Sequence, residues 1–413
     1  MKKHFILFLF FLFLSKVYSQ NNNISMSAGY ANQVFYSMQE GETQNINNGD
    51  WDLAFSIGNY SSSIRINDGM GVELYNYHLG DTSDWNNINQ NIINMLSSPL
   101  NNSDTSWMIG GFDINSVPGG FDFGWGVYNI VNHHVVGDSL FIIKTINGNW
   151  KKLWIQNLAS GEYNFKYSNI DGSNEFVASL KKSDFQDKLF GYYSIDQNNN
   201  IDREPLSADW DITFTKYITS VQGMPYSVTG ALSNINVKVA EANNVTPATY
   251  YNFNNHVFQN EINTIGYDWK TFDMSSFSYI LNPNVCFFIK DQEENIWRLY
   301  FNSFEGSSTG IIEFNTEEMT SSTSISNLNN DISSFSIYPN PINGNNLTIV
   351  FENSSKTTEL NIFDITGKNV YQELFEGIGF QAKSINLPNL NNGVYIVSFS
   401  SKGSIFQKKL VVR

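Results

Sequence analysis

Residues 51–55 read Trp-Asp-Leu-Ala-Phe, and residues 210–214 read Trp-Asp-Ile-Thr-Phe. Both stretches have the short alternating pattern of a β-strand with one buried face, and the tryptophan of each is expected to fill a core. An aromatic-Tyr-Ser element precedes each stretch, Phe35-Tyr-Ser37 by 16 residues and Tyr192-Tyr-Ser194 by 18. The chain between residues 20 and 320 is therefore predicted to contain two diverged copies of one β unit.

Further matches follow downstream of both Trp-Asp strands. The segment Phe141–Leu153 aligns without a gap with Phe287–Leu299, with Lys, Asn and Leu at identical offsets. Each segment reads as an apolar strand, a polar turn and a second amphipathic strand, which predicts a hairpin. Trp125 and Trp269 stand 19 and 21 residues before the matching lysines. The two copies are therefore predicted to share the same order of strands.

The composition narrows the class of protein. The 413 residues carry a formal net charge of −15, and this excludes a nucleic-acid binder because phosphate contacts need clustered Lys and Arg. Aromatic residues make up 15% and charged residues only 15%, a balance that suits exposed β-sheet faces. The single cysteine, Cys286, excludes a disulfide within the chain. One short helix is predicted over Asn86–Leu96, where isoleucines and a leucine recur at helical spacing.

The N-terminus has the features of an export signal. A short basic region, Met1–His4, precedes ten consecutive apolar residues, Phe5–Leu14, and small residues near Ser19 offer a cleavage site. The apolar run is shorter than the roughly 20 residues that span a bilayer, so a signal peptide over residues 1–19 is predicted rather than an anchor. No later segment of the sequence is apolar enough to cross a membrane as a helix.

The C-terminal part carries the most specific motifs. Short alternating strands separated by Asn, Gly and Pro predict a small antiparallel sandwich over residues 332–413. Its motifs, in chain order, are Tyr338-Pro-Asn-Pro341, Ile362-Phe-Asp-Ile-Thr-Gly-Lys368, Asn392-Gly-Val-Tyr395 and Lys408-Lys-Leu-Val-Val-Arg413. This order resembles the type A C-terminal sorting domain of substrates of the type IX secretion system of Bacteroidetes. The resemblance implies that the secretion machinery is a partner, and that the chain crosses the outer membrane to the cell surface or the medium.

The duplicated region resembles a second family. The aromatic-Tyr-Ser element, the Trp-Asp strand, the later tryptophan and the Phe-(Phe/Ile)-Ile-Lys hairpin are similar to the HmuY-like haem-binding family of Bacteroidetes surface proteins. The second copy matches more fully, through Trp210–Phe214, Trp269–Met274 and Val285–Gly306. The resemblance implies an all-β extracellular carrier that binds haem, or a related apolar ligand, between two side chains.

The haem hypothesis identifies candidate iron ligands, which are usually two on opposite faces of the iron. The family's second ligand falls five residues after the strand tryptophan, which is Met274 in the second copy and Ile130, not a ligand, in the first. His133 and His134 follow Ile130 and are candidate substitutes. For the first ligand the candidates are His256 and then Met224.

Two other functions stay open at this stage. The alternative is a surface adhesin or glycan-binding module that uses exposed Asn and aromatic side chains without haem. A secreted hydrolase would need paired carboxylates, and no Gly-x-Ser-x-Gly, His-Glu-x-x-His or Cys/His motif is present in the sequence. Binding without catalysis is therefore expected. The alternating acids of Asp196–Glu204 resemble a calcium loop but lack its glycine and its final glutamate, so a hydrated polar loop is the expected structure.

The sequence thus predicts an all-β protein of two related antiparallel β units followed by a small Ig-like β-sandwich. The predicted segments are a signal peptide at 1–19, a first HmuY-like unit at 20–180, a second at 181–318, a linker at 319–331 and the sorting domain at 332–413.

Overall fold

Antiparallel strands make up nearly all of the regular structure, as the alternating sequence predicts. The structure is a computed structural model, and it describes residues 20–319, 332–353, 357–401 and 404–413. The predicted signal peptide and all but the first residue of the predicted linker lie outside these residues. The chain divides into two compact units, Met1–Thr320 and Ser321–Arg413. The all-β fold class is confirmed.

The strands of the first sequence copy are β1 (Gln20–Ser25), β2 (Asn32–Ser37), β3 (Gly41–Asn47), β4 (Leu53–Ser56), β5 (Ile64–Ile66), β6 (Glu73–Asn76), β7 (Gly126–Asn129), β8 (His134–Gly137), β9 (Phe141–Lys144), β10 (Trp150–Ala159) and β11 (Glu162–Asn169). Strand β12 (Phe176–Lys181) crosses the predicted boundary between the copies, and those of the second copy are β13 (Phe190–Ser194), β14 (Asn199–Ile201), β15 (Ile212–Val221), β16 (Met224–Ser233), β17 (Lys238–Asn243), β18 (Lys270–Asp273), β19 (Ser278–Leu281), β20 (Val285–Lys290), β21 (Ile296–Phe304) and β22 (Ile311–Glu318).

Short 3-10 helices connect many of these strands, at Ala28–Tyr30, Asp68–Met70, Thr82–Asn86, Gln90–Met95, Gly111–Asp113, Lys182–Phe185, Ser207–Asp209, Pro247–Thr249, Phe253–Asn255 and Gly306–Ser308. The helix predicted over Asn86–Leu96 is wrong in type, because the segment forms 3-10 turns. Its asparagines explain the difference, since they bond to nearby backbone; the Asn89 side chain accepts from the amide of Asn91.

Each Trp-Asp strand pairs with the aromatic-Tyr-Ser strand of the other copy. In the β15–β2 pairing Ile212 faces Tyr36, and in the β4–β13 pairing Leu53 faces Tyr193. At the outer edges, β1 pairs with β22 and β12 pairs with β11. Strands β1–β3 therefore complete a body built on β15–β22, and β12–β14 complete a body built on β4–β11. We call these the second body and the first body.

Because each copy supplies strands to the body built mainly on the other copy, the sheets of this unit combine strands from both copies. Their strand orders are β1-β22-β21-β20-β17, β12-β11-β10-β8-β7 with β9 and β6 attached through β10, β14-β13-β4-β5, β16-β15-β2-β3, and the two-stranded β18-β19. The apolar core of each body contains side chains from both copies; Tyr193 and Ile195 lie in the first core, and Val34, Tyr36 and Met38 in the second. Residues 20–180 and 181–318, predicted as two units, lie in one compact unit whose sheets contain strands from both ranges.

Two buried carboxylates hold the exchanged strands. Oδ2 of Asp52 accepts from the amide of Ile195 at 2.8 Å, and Oδ2 of Asp211 accepts from the amide of Met38 at 2.7 Å. Both donors directly follow the aromatic-Tyr-Ser element of the other copy. Oδ1 of Asp52 also accepts from the amide of Ile146 at 2.8 Å. Burial raises the pKa of both carboxyls to about 6, so both are ionised at neutral pH and accept hydrogen bonds.

The strand tryptophans pack across the same exchange. Trp51 meets Tyr192 edge-on with ring centroids 5.0 Å apart, and Trp210 meets Phe35 in the same way at 5.1 Å. Both tryptophans are buried, as the sequence predicts. Edge-to-face pairs of this kind contribute about 0.5–1.5 kcal/mol beyond the area they bury.

The β9–β10 and β20–β21 hairpins pair their strands in the same register. Phe141 faces Leu153 and Phe287 faces Leu299, so the gapless alignment of the two hairpins is confirmed as shared register. The second strand of each hairpin contains a bulge, at 155–157 in β10 and at 301–303 in β21. The duplication predicted from the sequence is therefore present in the fold.

The C-terminal unit is a two-sheet sandwich. Its strands are β23 (Ile332–Tyr338), β24 (Asn346–Asn353), β25 (Thr357–Asp364), β26 (Asn369–Glu376), β27 (Gly379–Asn386), β28 (Gly393–Ser401) and β29 (Ser404–Val412), in the orders β23-β24-β27 and β26-β25-β28-β29. The buried side chains of Ile349, Ile362 and Val397 belong to the single core cluster of this unit.

The sorting motifs lie where the sandwich turns and ends. In the turn after β25, Oδ1 of Asp364 accepts from the amides of Thr366 and Lys368, and Gly367 has a φ of 82°. Only glycine adopts that conformation without strain, as expected from the motif. The Asn340 side chain bonds to the terminal strand, donating to the carbonyl of Lys409 and accepting from the amide of Val411.

The carboxylates that hold the exchanged strands give a stability test. Asp52→Ala leaves the buried amide of Ile195 and the partly buried amide of Ile146 without their acceptor, at about 1–3 kcal/mol each, so we expect the free energy of unfolding to fall by about 2–5 kcal/mol. Denaturant unfolding measures this change. Asp209→Ala is the matched control, because Asp209 is exposed and we expect a change within about 0.5 kcal/mol. Equal effects of the two variants would contradict the role of Asp52.

Candidate functional site

Met274 and Ile130 occupy the same position of two equivalent hairpins. Strand β7 begins and ends 144 residues before β18, and β8 begins and ends 144 residues before β19. Both connecting turns end on a residue with positive φ, His133 at 60° and Phe277 at 50°. Met274 is 71% exposed and Ile130 is 65% exposed. The second copy thus presents a thioether on an open turn where the first copy presents an isoleucine.

Met224 lies at the tip of a neighbouring hairpin. It begins β16, directly after the turn from β15, and is 67% exposed. Gly266 bridges to Ala231 of β16, and Nζ of Lys270 donates to the carbonyl of Thr229 at 2.6 Å. From Gly266 to Lys270 the chain therefore follows β16 back toward Met224. We infer that the β15–β16 and β18–β19 hairpins project toward the same end of the second body.

Large apolar side chains are exposed on both of these hairpins. Monomeric soluble proteins rarely expose large contiguous apolar surface, and such surface is typical of interaction sites. We call this set the methionine surface; its members are Met224, Tyr226, Phe272, Met274 and Phe277.

His256 lies on the far side of a sheet from this hairpin. Its Nε2 is 2.8 Å from the Tyr250 hydroxyl, and its ring packs against Phe288 of β20. Phe287, the preceding residue, lies in the core that contains Trp269, from which the β18–β19 hairpin starts. Because successive side chains of a strand point to opposite faces, the structure does not favour His256 as the partner of Met274.

His133 and His134 belong to the turn of the β7–β8 hairpin in the first body. Nδ1 of His133 is 2.6 Å from the Tyr128 hydroxyl. His134 begins β8 and is partly buried. The structure therefore places both histidines in the other body from Met274 and Met224, and of the two only His133 lines a cavity described below.

The first body contains an open groove of about 880 Å³. It is lined by residues from 57–59, 158–162 and 181–188, with His133 at its edge. This volume lies within the range of about 300–1,000 Å³ that is typical of small-molecule sites. This groove was not predictable from the sequence, because its segments come from both copies and meet only through the strand exchange.

A lysine is held inside the groove. Nζ of Lys182 donates to the carbonyls of Gly58 at 2.7 Å and Ser61 at 2.6 Å. Burial lowers the pKa of Lys182 to about 8, because the charged ammonium is poorly solvated there. Lys188, which also lines the groove, pairs with Asp202.

The acidic loop of residues 196–204 uses its side chains in separate structural bonds. Asp196 accepts from Asn147 and Asn149, and Glu204 accepts from the amide of Leu189 and the hydroxyl of Tyr192. In the described part of the chain, no group of three or more His, Cys, Asp or Glu residues is arranged to hold a metal ion.

Comparison with known proteins identifies the C-terminal unit. Residues 336–413 match the family model of the secretion system C-terminal sorting domain. None of the curated proteins matches the chain. Among solved structures, a biofilm associated protein, BSP domain, is 8% identical, with a TM-score of 0.16. That match covers 61% of this chain and spans only 60% of the other, and a TM-score this low supports no conclusion about the duplicated region.

The family match defines where the protein acts. The chain carries a type IX secretion sorting domain and is exported across the outer membrane to the cell surface or the medium. The sorting domain implies an interaction with the secretion machinery. Within the described residues, we find no helix with the length and apolarity to span a bilayer.

Export gives a direct test of the sorting domain. Removal of residues 332–413 is expected to leave the chain in the periplasm, because the secretion machinery then lacks its recognition domain. Cell fractionation with immunoblotting measures the distribution. Met274→Ala in the full chain is the matched control and should be exported normally. A truncated chain that reaches the surface or the medium as efficiently as the full chain would contradict this role.

Proposed function

We propose that this exported protein binds a ligand rather than transforming one, and that the ligand is haem or a related flat apolar molecule held on the methionine surface of the second body. The observation that carries the proposal is the exposure of two thioethers, Met274 and Met224, on hairpins that we infer to project toward the same end. Methionine is one of the axial ligands that proteins supply to haem iron. The likeness of the two copies to the HmuY-like family is part of the same proposal.

The methionine surface carries the two kinds of side chain that a haem site needs, iron ligands and apolar rings. Met274 and Met224 would supply one sulfur each, and the exposed rings of Phe272 and Phe277 would cover the flat faces of the macrocycle. When bound, haem would supply the iron and the redox chemistry, while the chain would hold it and shield its apolar surface. We propose Met224, rather than His256, as the partner of Met274.

Hemin titration of the chain from residue 20 to residue 413 tests this proposal. We expect a shift of the Soret band on binding, and we expect Met274→Ala and Met224→Ala each to weaken hemin binding at least tenfold. Met95→Ala is the matched control, because Met95 is also exposed but lies outside the second body. Its affinity should equal that of the native chain.

Two outcomes would count against the proposal. Unchanged hemin affinity in both single variants would remove the two methionines as ligands. A native chain that gives no Soret shift but binds on a glycan array would instead favour the alternative, a surface adhesin or glycan-binding module.

A further inference from the structure

The groove of the first body is open at positions that the second body fills. In the shared register, Leu158 of β10 corresponds to Phe304 of β21, three residues after equivalent bulge positions. Phe304 is covered by Tyr30, with ring centroids 5.9 Å apart, and by Tyr279 at 4.7 Å. Leu158 lines the groove instead. The same frame is therefore plugged by aromatic rings in one body and open in the other.

Lys182 stands where the second body has a core methionine. The amide of Lys182 donates to the carbonyl of Gly161, and the amide of Met26 donates to the carbonyl of Gly310, in the same connection after the edge strand. Met26 is fully buried in the second core. The fold thus accepts an apolar residue at this position, and the first body has a lysine there whose ammonium lies beside the groove.

The lining of the groove has its own charge and hydrogen-bonding character. Lys181, Lys182 and Lys188 line it with two acids, Glu162 and Asp187, and Lys188 is paired with Asp202, so basic and acidic groups balance around the groove although the chain as a whole has a net charge of −15. Asn59, Ser160 and Gln186 add amide and hydroxyl groups. The apolar side chains of Ile57 and Leu158, groups that bond hydroxyls, and ammonium groups together match a sugar that carries a carboxylate.

We propose that this groove is a second binding site, distinct from the methionine surface, which takes an acidic oligosaccharide with a carboxylate on Lys182. Two N–H groups of Lys182 are used by the carbonyls of Gly58 and Ser61, and the third is left to donate to the ligand. This proposal does not rest on haem binding.

The second body provides the variants that test the site. Lys182→Met and Leu158→Phe each introduce the residue that the second body has at the equivalent position, so the fold should be retained; thermal unfolding checks this. Calorimetric titration of residues 20–413 with an alginate hexamer is expected to show binding, weakened at least tenfold by Lys182→Met and also weakened by Leu158→Phe. Lys238→Met, on an exposed position of β17, is the control and should bind as the native chain does.

The pH dependence gives an independent readout. The groups around Lys182 are Glu162, Lys181, Asp187, Lys188 and His133, with the ring of Tyr163 at 5.5 Å. Because the pKa of Lys182 is lowered to about 8, its positive charge is lost as the pH rises through 8, and alginate affinity should fall between pH 7 and pH 9. In Lys182→Arg the charge persists, so this fall should be much smaller.

The proposal is overturned if the native chain does not bind the alginate hexamer at millimolar concentration, or if Lys182→Met binds it as tightly as the native chain. Equal binding of a neutral cellohexaose would overturn the acidic ligand class. A native chain that binds alginate but not hemin would contradict the haem proposal alone. A native chain that binds hemin but not alginate would contradict the groove proposal alone.

Discussion

The duplicated region depends on one buried interaction, made twice. A carboxylate at the start of a strand accepts a hydrogen bond from the amide that follows the aromatic-Tyr-Ser element of the other copy. Asp52 accepts from Ile195, and Asp211 accepts from Met38. The adjacent tryptophans pack on the same elements. Since each copy supplies the strand that the other copy needs, neither core is complete without both copies, and the N-terminal strand closes against the last strand of the second copy.

The need to pair strands between the copies fixes the paired strands and leaves the turns and hairpin tips free to vary. The paired strands keep their register in both bodies, down to the position of a bulge. The turns and hairpin tips are exposed, so their residues can change with little cost to either core. Met274 against Ile130 is a difference of this kind, whereas Lys182 against Met26 changes a position that is buried in the second core. One frame thus presents an apolar surface in the second body and a polar groove in the first, on a chain that its C-terminal domain sends across the outer membrane.

Much of the fold was predictable because its signals are local. Alternation predicted the strands, the gapless match of Phe141–Leu153 with Phe287–Leu299 predicted a shared hairpin, and short strands separated by Asn, Gly and Pro predicted the C-terminal sandwich. The exchange of strands was not predictable, because each Trp-Asp strand has the same pattern as its duplicate and would fit either partner. The groove was missed for the same reason. Met224 and Met274 were found as candidates, and the course of the chain along β16 is the basis for our inference that their hairpins project toward one end.

Cross-linking of the first strand to the last strand tests the interleaved fold most directly. Asn23 of β1 faces Glu313 of β22, and facing residues of antiparallel strands have Cβ atoms about 4.5–5.5 Å apart, close to the spacing of a disulfide. In the double variant Asn23→Cys and Glu313→Cys, mild oxidation of residues 20–413 should give a disulfide within a single monomer, identified by peptide mass spectrometry. The native Cys286 is buried and should stay reduced. Cysteines that remain reduced, or that join only two separate molecules, would contradict the account.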